Sequence, residues 1–222
     1  MPTWNELFLN EQFIEVIPQP AVFHFIKDLQ AAFPGRRLKI WDQCCGAGRH
    51  SILAAKMGCD VYASDVSENG IAHLKKMLGA ENLTANLEIS DMTMDPWKDE
   101  RFHGVICWDA IHHNTLKNVE KAIEIIYDRL VEGGMFIASI ISAGEGALKK
   151  GREIEKNTFV RDEGDESGVP HHFFDEAEIK RVFKKWKKVA LLENVVRHVE
   201  VDNDFYRTNP FFCTKWYALV KK

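Results

Sequence analysis

The residues best arranged for chemistry lie between positions 38 and 65. A short apolar run (Leu38, Ile40, Trp41) leads into Asp42-Gln43-Cys44-Cys45-Gly46-Ala47-Gly48-Arg49-His50, and Asp65 closes a second apolar run. Glycines at 46 and 48 let the backbone pass close to a ligand with no Cβ in the way, and a helix that starts there offers unpaired N–H groups to an anion. An acid after the second strand of a doubly wound sheet accepts hydrogen bonds from the two hydroxyls of a ribose. The pattern is that of a nucleoside-cofactor site.

Positioning these residues takes an alternation of strands and helices. Residues 38–41 read as the first strand, 50–57 as an amphipathic helix and 59–64 as the second strand. Residues 85–90 alternate well enough for a third strand, with Asp91 and Met92 at its end. A fourth strand over 102–109 contains Trp108 and is followed by Ile111-His112-His113. A helix over 118–130 then meets Glu132-Gly133-Gly134, where Gly133 or Gly134 is expected as a left-handed C-cap before a buried fifth strand over 135–141.

The frame Gly46-x-Gly48-x-x places Ser51 where a dinucleotide fingerprint has its third Gly or Ala, which weakens a nicotinamide reading. The block resembles motif I of class I S-adenosylmethionine-dependent methyltransferases, D-x-G-C-G-x-G, continued as R-H-S in small-molecule members. Asp42, Cys45, Gly46, Gly48, Arg49, His50 and Ser51 match it, and Cys44 stands where the family normally has its first glycine. The resemblance is close over residues 38–142 and extends beyond them only as an order of elements. It implies an α/β fold with a doubly wound, seven-stranded, mostly parallel sheet and an antiparallel last strand. It also implies S-adenosyl-L-methionine as cofactor, held by Asp42, Cys44, Cys45, Gly46, Gly48, Arg49, His50, Asp65, Val66, Asp91, Met92 and Trp108. Asp91 and Met92 would lie against the adenine, and the fourth strand would open beside the transferable methyl. The Cys44 side chain either points away from the cofactor or narrows the methionine end of its pocket.

Two histidine pairs, His112-His113 and His171-His172, are the candidate catalytic residues. Imidazoles converging from two loops can ligate a metal, and one can act as a general base or orient the substrate near neutral pH. The base or orienting role is preferred to the metal, with no metal site expected; packing against loop backbone is the alternative to both. Adjacent residues point apart, so at most one of each pair is expected to face the site.

The flanks supply cover. Trp4, Leu7, Phe8, Phe13, Ile14 and Ile17 precede Pro18 and Pro20, and a helix follows through Val22, Phe23, Phe25, Ile26 and Leu29. Most of these side chains are expected to cover the core, with Trp4 and Phe8 reaching the site. Residues 142–172 form a long polar, glycine-containing insertion, expected to be a structureless, mobile lid that brings His171 or His172 and Phe173 to the acceptor. Asp175 is read as the N-cap of the following helix, with Glu178 completing a capping box. The lysine- and arginine-rich run over 180–188 reads as a solvated helix face, and an aromatic connector over 202–212 precedes the final strand.

The 222 residues are 45% apolar, enough for one large core, and are expected to form a single domain: 1–35 helical cover, 36–142 cofactor core, 143–172 lid-like insertion, 173–222 terminal helix and strands. A formal charge of −4 offers no general attraction to nucleic acid or to an anionic membrane. Cys44, Cys45, Cys59, Cys107 and Cys213 show no repeated C-x-x-C spacing, which points to a reducing, cytoplasmic setting and no zinc knuckle. The expected activity is methyl transfer to a small-molecule acceptor. A nicotinamide oxidoreductase and a non-catalytic S-adenosylmethionine-binding module are the rival classes.

Overall fold

The computed structural model describes residues 4–10, 14–144, 149–194 and 215–222. A seven-stranded sheet runs in the order β3-β2-β1-β4-β5-β10-β9, built from β1 (Lys39–Gln43), β2 (Asp60–Asp65), β3 (Asn86–Ile89), β4 (Phe102–Cys107), β5 (Leu130–Ile141), β9 (Lys188–Asn194) and β10 (Lys215–Lys221). The first five strands pair in parallel, and β10 lies antiparallel to both β5 and β9. Central β1, β2 and β4 are buried almost throughout, because helices cover both faces and leave no polar side for alternation. β3, at the sheet edge, is mostly exposed.

The helices α1 (Trp4–Leu7), α2 (Pro20–Ala32), α3 (Arg49–Lys56), α4 (Glu68–Ala80), α5 (Leu116–Arg129) and α6 (Glu176–Val182) complete the layers. Trp41, Phe102, Phe136, Phe174 and Phe183 are fully buried in the larger core cluster, and Phe25, Ile26, Leu29 and Ile40 in the second. Strand order reverses between β1 and β4, so a crevice opens there at the carboxyl ends of the strands. No helix among the described residues is long and apolar enough to cross a membrane.

Several expectations change. The helix before β5 ends at Leu130, whose extended backbone pairs with Phe102, so neither Gly133 nor Gly134 is its C-cap. Gly133 adopts φ +77° within β5, where the pairing with β4 shifts register. Residues 142–172 are not structureless: β6 (Arg152–Glu155), β7 (Thr158–Val160) and β8 (Pro170–His172) form a small antiparallel sheet. The backbone N–H of His172 donates to the carbonyl of His112 at 2.9 Å and ties this sheet to the β4 loop.

In keeping with a solvated basic face, Arg181, Lys185 and Lys187 are exposed, and they reach Glu120 and Glu124 on α5 and Glu132 across the surface. Phe23 and Ile17 are exposed rather than covering the core. The capping box is present: Asp175 accepts the Glu178 N–H at 2.8 Å and the Glu178 carboxylate faces the Asp175 N–H. Phe13, Gly146, Cys213 and the 202–212 connector lie outside the described residues.

Candidate active site

The loop between β1 and α3 folds as its glycines require. Gly46 and Gly48 have φ +54° and +86°, and a Cβ on Gly48 would fall 2.3 Å from Leu74 of α4. Cys44 also lies in the left-handed region, at φ +56°. That conformation explains why glycine is the usual occupant and what its replacement costs here. The Cys44 side chain borders the cavity and packs on the core cluster that contains Cys107, while the hydrogen bond with the Cys107 thiol, and then burial, push the Cys44 thiol well above its ordinary range.

A cavity of about 310 Å³ occupies the crevice. All twelve residues expected to hold the cofactor line it: Asp42, Cys44, Cys45, Gly46, Gly48, Arg49, His50, Asp65, Val66, Asp91, Met92 and Trp108. Asp65 is nevertheless engaged with the loop itself, since its two oxygens accept the N–H groups of Gly46 and Ser67, both at 2.8 Å. Asp42 accepts the Ser51 hydroxyl at 2.6 Å, and burial pushes its carboxyl up to about 7. Asp91 both lines the cavity and accepts the N–H and hydroxyl of Thr93. His50 is kept neutral: burial, then the Arg49 charge, lowers it to about 3, and its Nε2 accepts the Gln19 N–H at 3.2 Å.

The amino-terminal segment closes one side. The ring of Phe8 lies where a Cβ on Gly46 would point, and Trp4 stacks on His113 with ring centroids 5.0 Å apart. Asn5 pins this cover to α4, accepting the Asn69 N–H at 2.9 Å and the Asn69 side-chain amide at 2.6 Å.

The four histidines separate. His113 lines the cavity, with its Nε2 4.0 Å from Glu166. His171 sits behind that carboxylate, with Nε2 2.9 Å from Glu166 and Nδ1 2.9 Å from the Val169 carbonyl. His112 is buried beside His113 and does not line the cavity. His172 is fully buried on the far side, 2.6 Å from the Thr158 hydroxyl and 3.5 Å from Glu178. Burial pushes His112 and His113 well below the ordinary histidine range. Burial opposes the charge on Glu166, yet the hydrogen bond to His171 and the neighbouring His113, His171 and Arg161 hold its carboxyl down at about 2.

Among the lining residues that went unrecognised in the sequence are Asp109 and Glu166. Asp109 has φ +54° and accepts the Ser139 hydroxyl at 2.5 Å and Lys215 Nζ at 2.6 Å, with Arg49 3.8 Å away. Its place after β4, where strand-end acids meet ligands, was the available signal. Glu166 had none, lying among Asp162, Glu163 and Asp165 in a polar stretch.

Among the lining residues six carboxylates (Glu15, Asp42, Asp65, Asp91, Asp109, Glu166) face one guanidinium, Arg49, and no lysine. Even with Asp42 protonated the excess is negative, which disfavours a dinucleotide pyrophosphate and favours a cation-bearing nucleoside.

Residues 40–134 match the family described as a methyltransferase domain. No curated protein matches the chain in sequence. TehB from Haemophilus influenzae is 18% identical with a TM-score of 0.64, over 92% of this chain, which spans 63% of TehB's length. An S-adenosylmethionine-dependent methyltransferase from Clostridium acetobutylicum is 16% identical, TM-score 0.67, covering 97% of this chain and 96% of its own. The 1,6-didemethyltoxoflavin-N1-methyltransferase of Burkholderia thailandensis, solved with 1,6-didemethyltoxoflavin and S-adenosylhomocysteine, is 16% identical, TM-score 0.63, over 91% and 78%.

Proposed function

We propose that this chain, which has the class I methyltransferase fold and matches a methyltransferase domain over residues 40–134, is an S-adenosylmethionine-dependent methyltransferase that methylates a small-molecule acceptor. The observation that carries the reading is the acid-rich cavity at the β1/β4 switch point, where strand-end carboxylates stand beside apolar Val66, Met92 and Trp108. This donor set fits the cofactor: Asp65 has lone pairs beyond those given to Gly46 and Ser67 and can take ribose hydroxyls, Asp91 and Met92 border the adenine end, and the anionic wall suits a sulfonium and an ammonium. S-Adenosylmethionine supplies an activated methyl group on sulfur when bound.

The chain's own work is to hold the acceptor in line and exclude water. Trp4 and Phe8 form the cover, and Trp4, His113, Asn114 and Glu166 form the acceptor wall, with Glu166 brought there by the β6–β8 sheet. Of the four histidines, His113 faces the acceptor, His171 holds Glu166 in place, and His112 and His172 are framework. A cavity of about 310 Å³ flanked by the aromatic side chains of Trp4 and Phe8 suits a small molecule better than a polymer. Free thiols at Cys44, Cys45, Cys59 and Cys107 agree with a reducing cytoplasmic setting.

Calorimetric titration with S-adenosylhomocysteine and with NAD tests the assignment, followed by mass-spectrometric detection of methylated products in a panel of small acceptors. Saturable S-adenosylhomocysteine binding with none for NAD is expected. The reverse preference would replace the reading with an oxidoreductase, and tight cofactor binding with no transfer to any acceptor would leave a binding module.

A further inference from the structure

We infer that His113, Glu166 and His171 form a binding site for a divalent transition-metal ion at the acceptor wall of the cavity. The inference rests on the methyltransferase reading for its functional meaning, but its geometry stands independently. The ligand atoms of the three side chains lie within 4.8 Å of one another. His171 Nε2 is 2.9 Å from one Glu166 oxygen, His113 Nε2 is 4.0 Å from the other, and the two rings are 4.7 Å apart. Ligands around one ion at about 2.1 Å are roughly 3–4 Å apart, so side-chain movements of about an ångström close the set.

The hydrogen-bond pattern leaves a place for a cation between these groups. His171 Nδ1 faces the Val169 carbonyl, which only accepts, so that nitrogen carries a proton. In the neutral ring Nε2 then presents a lone pair to a carboxylate oxygen 2.9 Å away. Two acceptors at that distance need something positive between them, either a second proton on the ring or a metal.

The donor set also resembles a built metal site beyond its three ligands. A ligating histidine ordinarily donates its second ring N–H to a carbonyl or carboxylate, which fixes the tautomer, and the His171–Val169 bond does this. His113 is held by the Trp4 face on one side and packs edge-on to His112 on the other. Two imidazoles and one carboxylate suit zinc, iron, cobalt or nickel better than magnesium or calcium, and they leave coordination positions open. His113 and Glu166 both line the cavity, so those positions face the acceptor. The acceptor class that fits is a small molecule with a Lewis-basic nitrogen, oxygen or sulfur, anchored on the ion beside the atom to be methylated. Glu166 joins His113 and His171 only through the fold of β7 and β8.

The test is metal binding by the full chain, stripped with chelator and titrated with Zn²⁺ by calorimetry and with Co²⁺ by visible absorption. One equivalent of Zn²⁺ and a ligand-field spectrum for Co²⁺ are expected, without cofactor present. Glu166→Gln should weaken Zn²⁺ binding at least tenfold and His171→Ala about a hundredfold, with thermal unfolding and S-adenosylhomocysteine affinity reported alongside as evidence of folding. Absence of saturable binding by the unmodified protein overturns the inference, whatever the variants do. Binding that both variants retain at full strength overturns it as well, since the ion then sits elsewhere. If S-adenosylhomocysteine binds and the metal does not, only this inference fails; if the metal binds and S-adenosylhomocysteine does not, the site stands and the methyltransferase reading fails.

Discussion

The carboxylate of Asp65 accepts the backbone N–H of Gly46 at 2.8 Å, so the acid that ends β2 holds the glycine loop that ends β1. The same group therefore shapes the glycine loop and lines the cavity. Asp65→Ala leaves two N–H groups, those of Gly46 and Ser67, short of a partner, which costs about 1–3 kcal/mol for each one left buried. We expect lower thermal stability together with about 10- to 100-fold weaker S-adenosylhomocysteine binding. Unchanged stability in this variant would show that the loop does not depend on Asp65; unchanged affinity would remove the residue from ligand contact.

Cys44→Gly should relieve backbone strain. A residue with a Cβ at φ +56° costs roughly 1–2 kcal/mol, part of which returns as the greater unfolded-state freedom of glycine. A net gain of up to about 1 kcal/mol is expected by chemical denaturation, with S-adenosylhomocysteine binding at least as tight. A large loss of affinity at unaltered stability would mean that the thiol itself contacts the ligand.

Two buried groups give stability opposite dependences on pH. His50 is lowered to about 3, so the unfolded chain takes up its proton near 6.5 while the folded chain does not, and stability is lost as pH falls from about 6.5 to about 3. Asp42 is raised to about 7, so the folded chain keeps a proton that the unfolded chain releases near 4, and stability is lost as pH rises from about 4 to about 7. Denaturation curves across pH 3–8 should show the acid-side decline shrink in His50→Gln and the neutral-side decline shrink in Asp42→Asn. Parallel profiles for parent and variant would refute the corresponding assignment.

His171 and His172 should separate in their effects although they are neighbours. His172 bonds Thr158 in a fully buried setting, so His172→Ala should cost about 1–3 kcal/mol of stability. His171→Ala should lower turnover while S-adenosylhomocysteine affinity stays within a few-fold, because its neighbour Glu166 lies on the acceptor wall. Equal effects of the two variants on turnover and on unfolding would erase the distinction.

By itself the sequence determined the sheet, the cofactor loop and the strand-end acids, because these are local: glycines at 46 and 48 require their backbone, apolar runs make buried strands, and Asp65 and Asp91 follow those runs directly. The Asp175–Glu178 capping box was legible for the same reason. Tertiary structure alone decided what depends on separated segments meeting. Glu166 reaches His113 across 53 positions because β7 and β8 fold the insertion back on the β4 loop, and a polar stretch carries no periodicity that announces such a pairing. The same holds for Asp109, whose partners Ser139 and Lys215 come from β5 and β10. The direction of each histidine was set by neighbours rather than by type: His113 met Trp4 and the cavity, and His172 met Thr158 and the interior. A side chain's chemistry is written at its own position, whereas its environment is supplied by residues far along the chain, and that environment decided which imidazole lines the cavity.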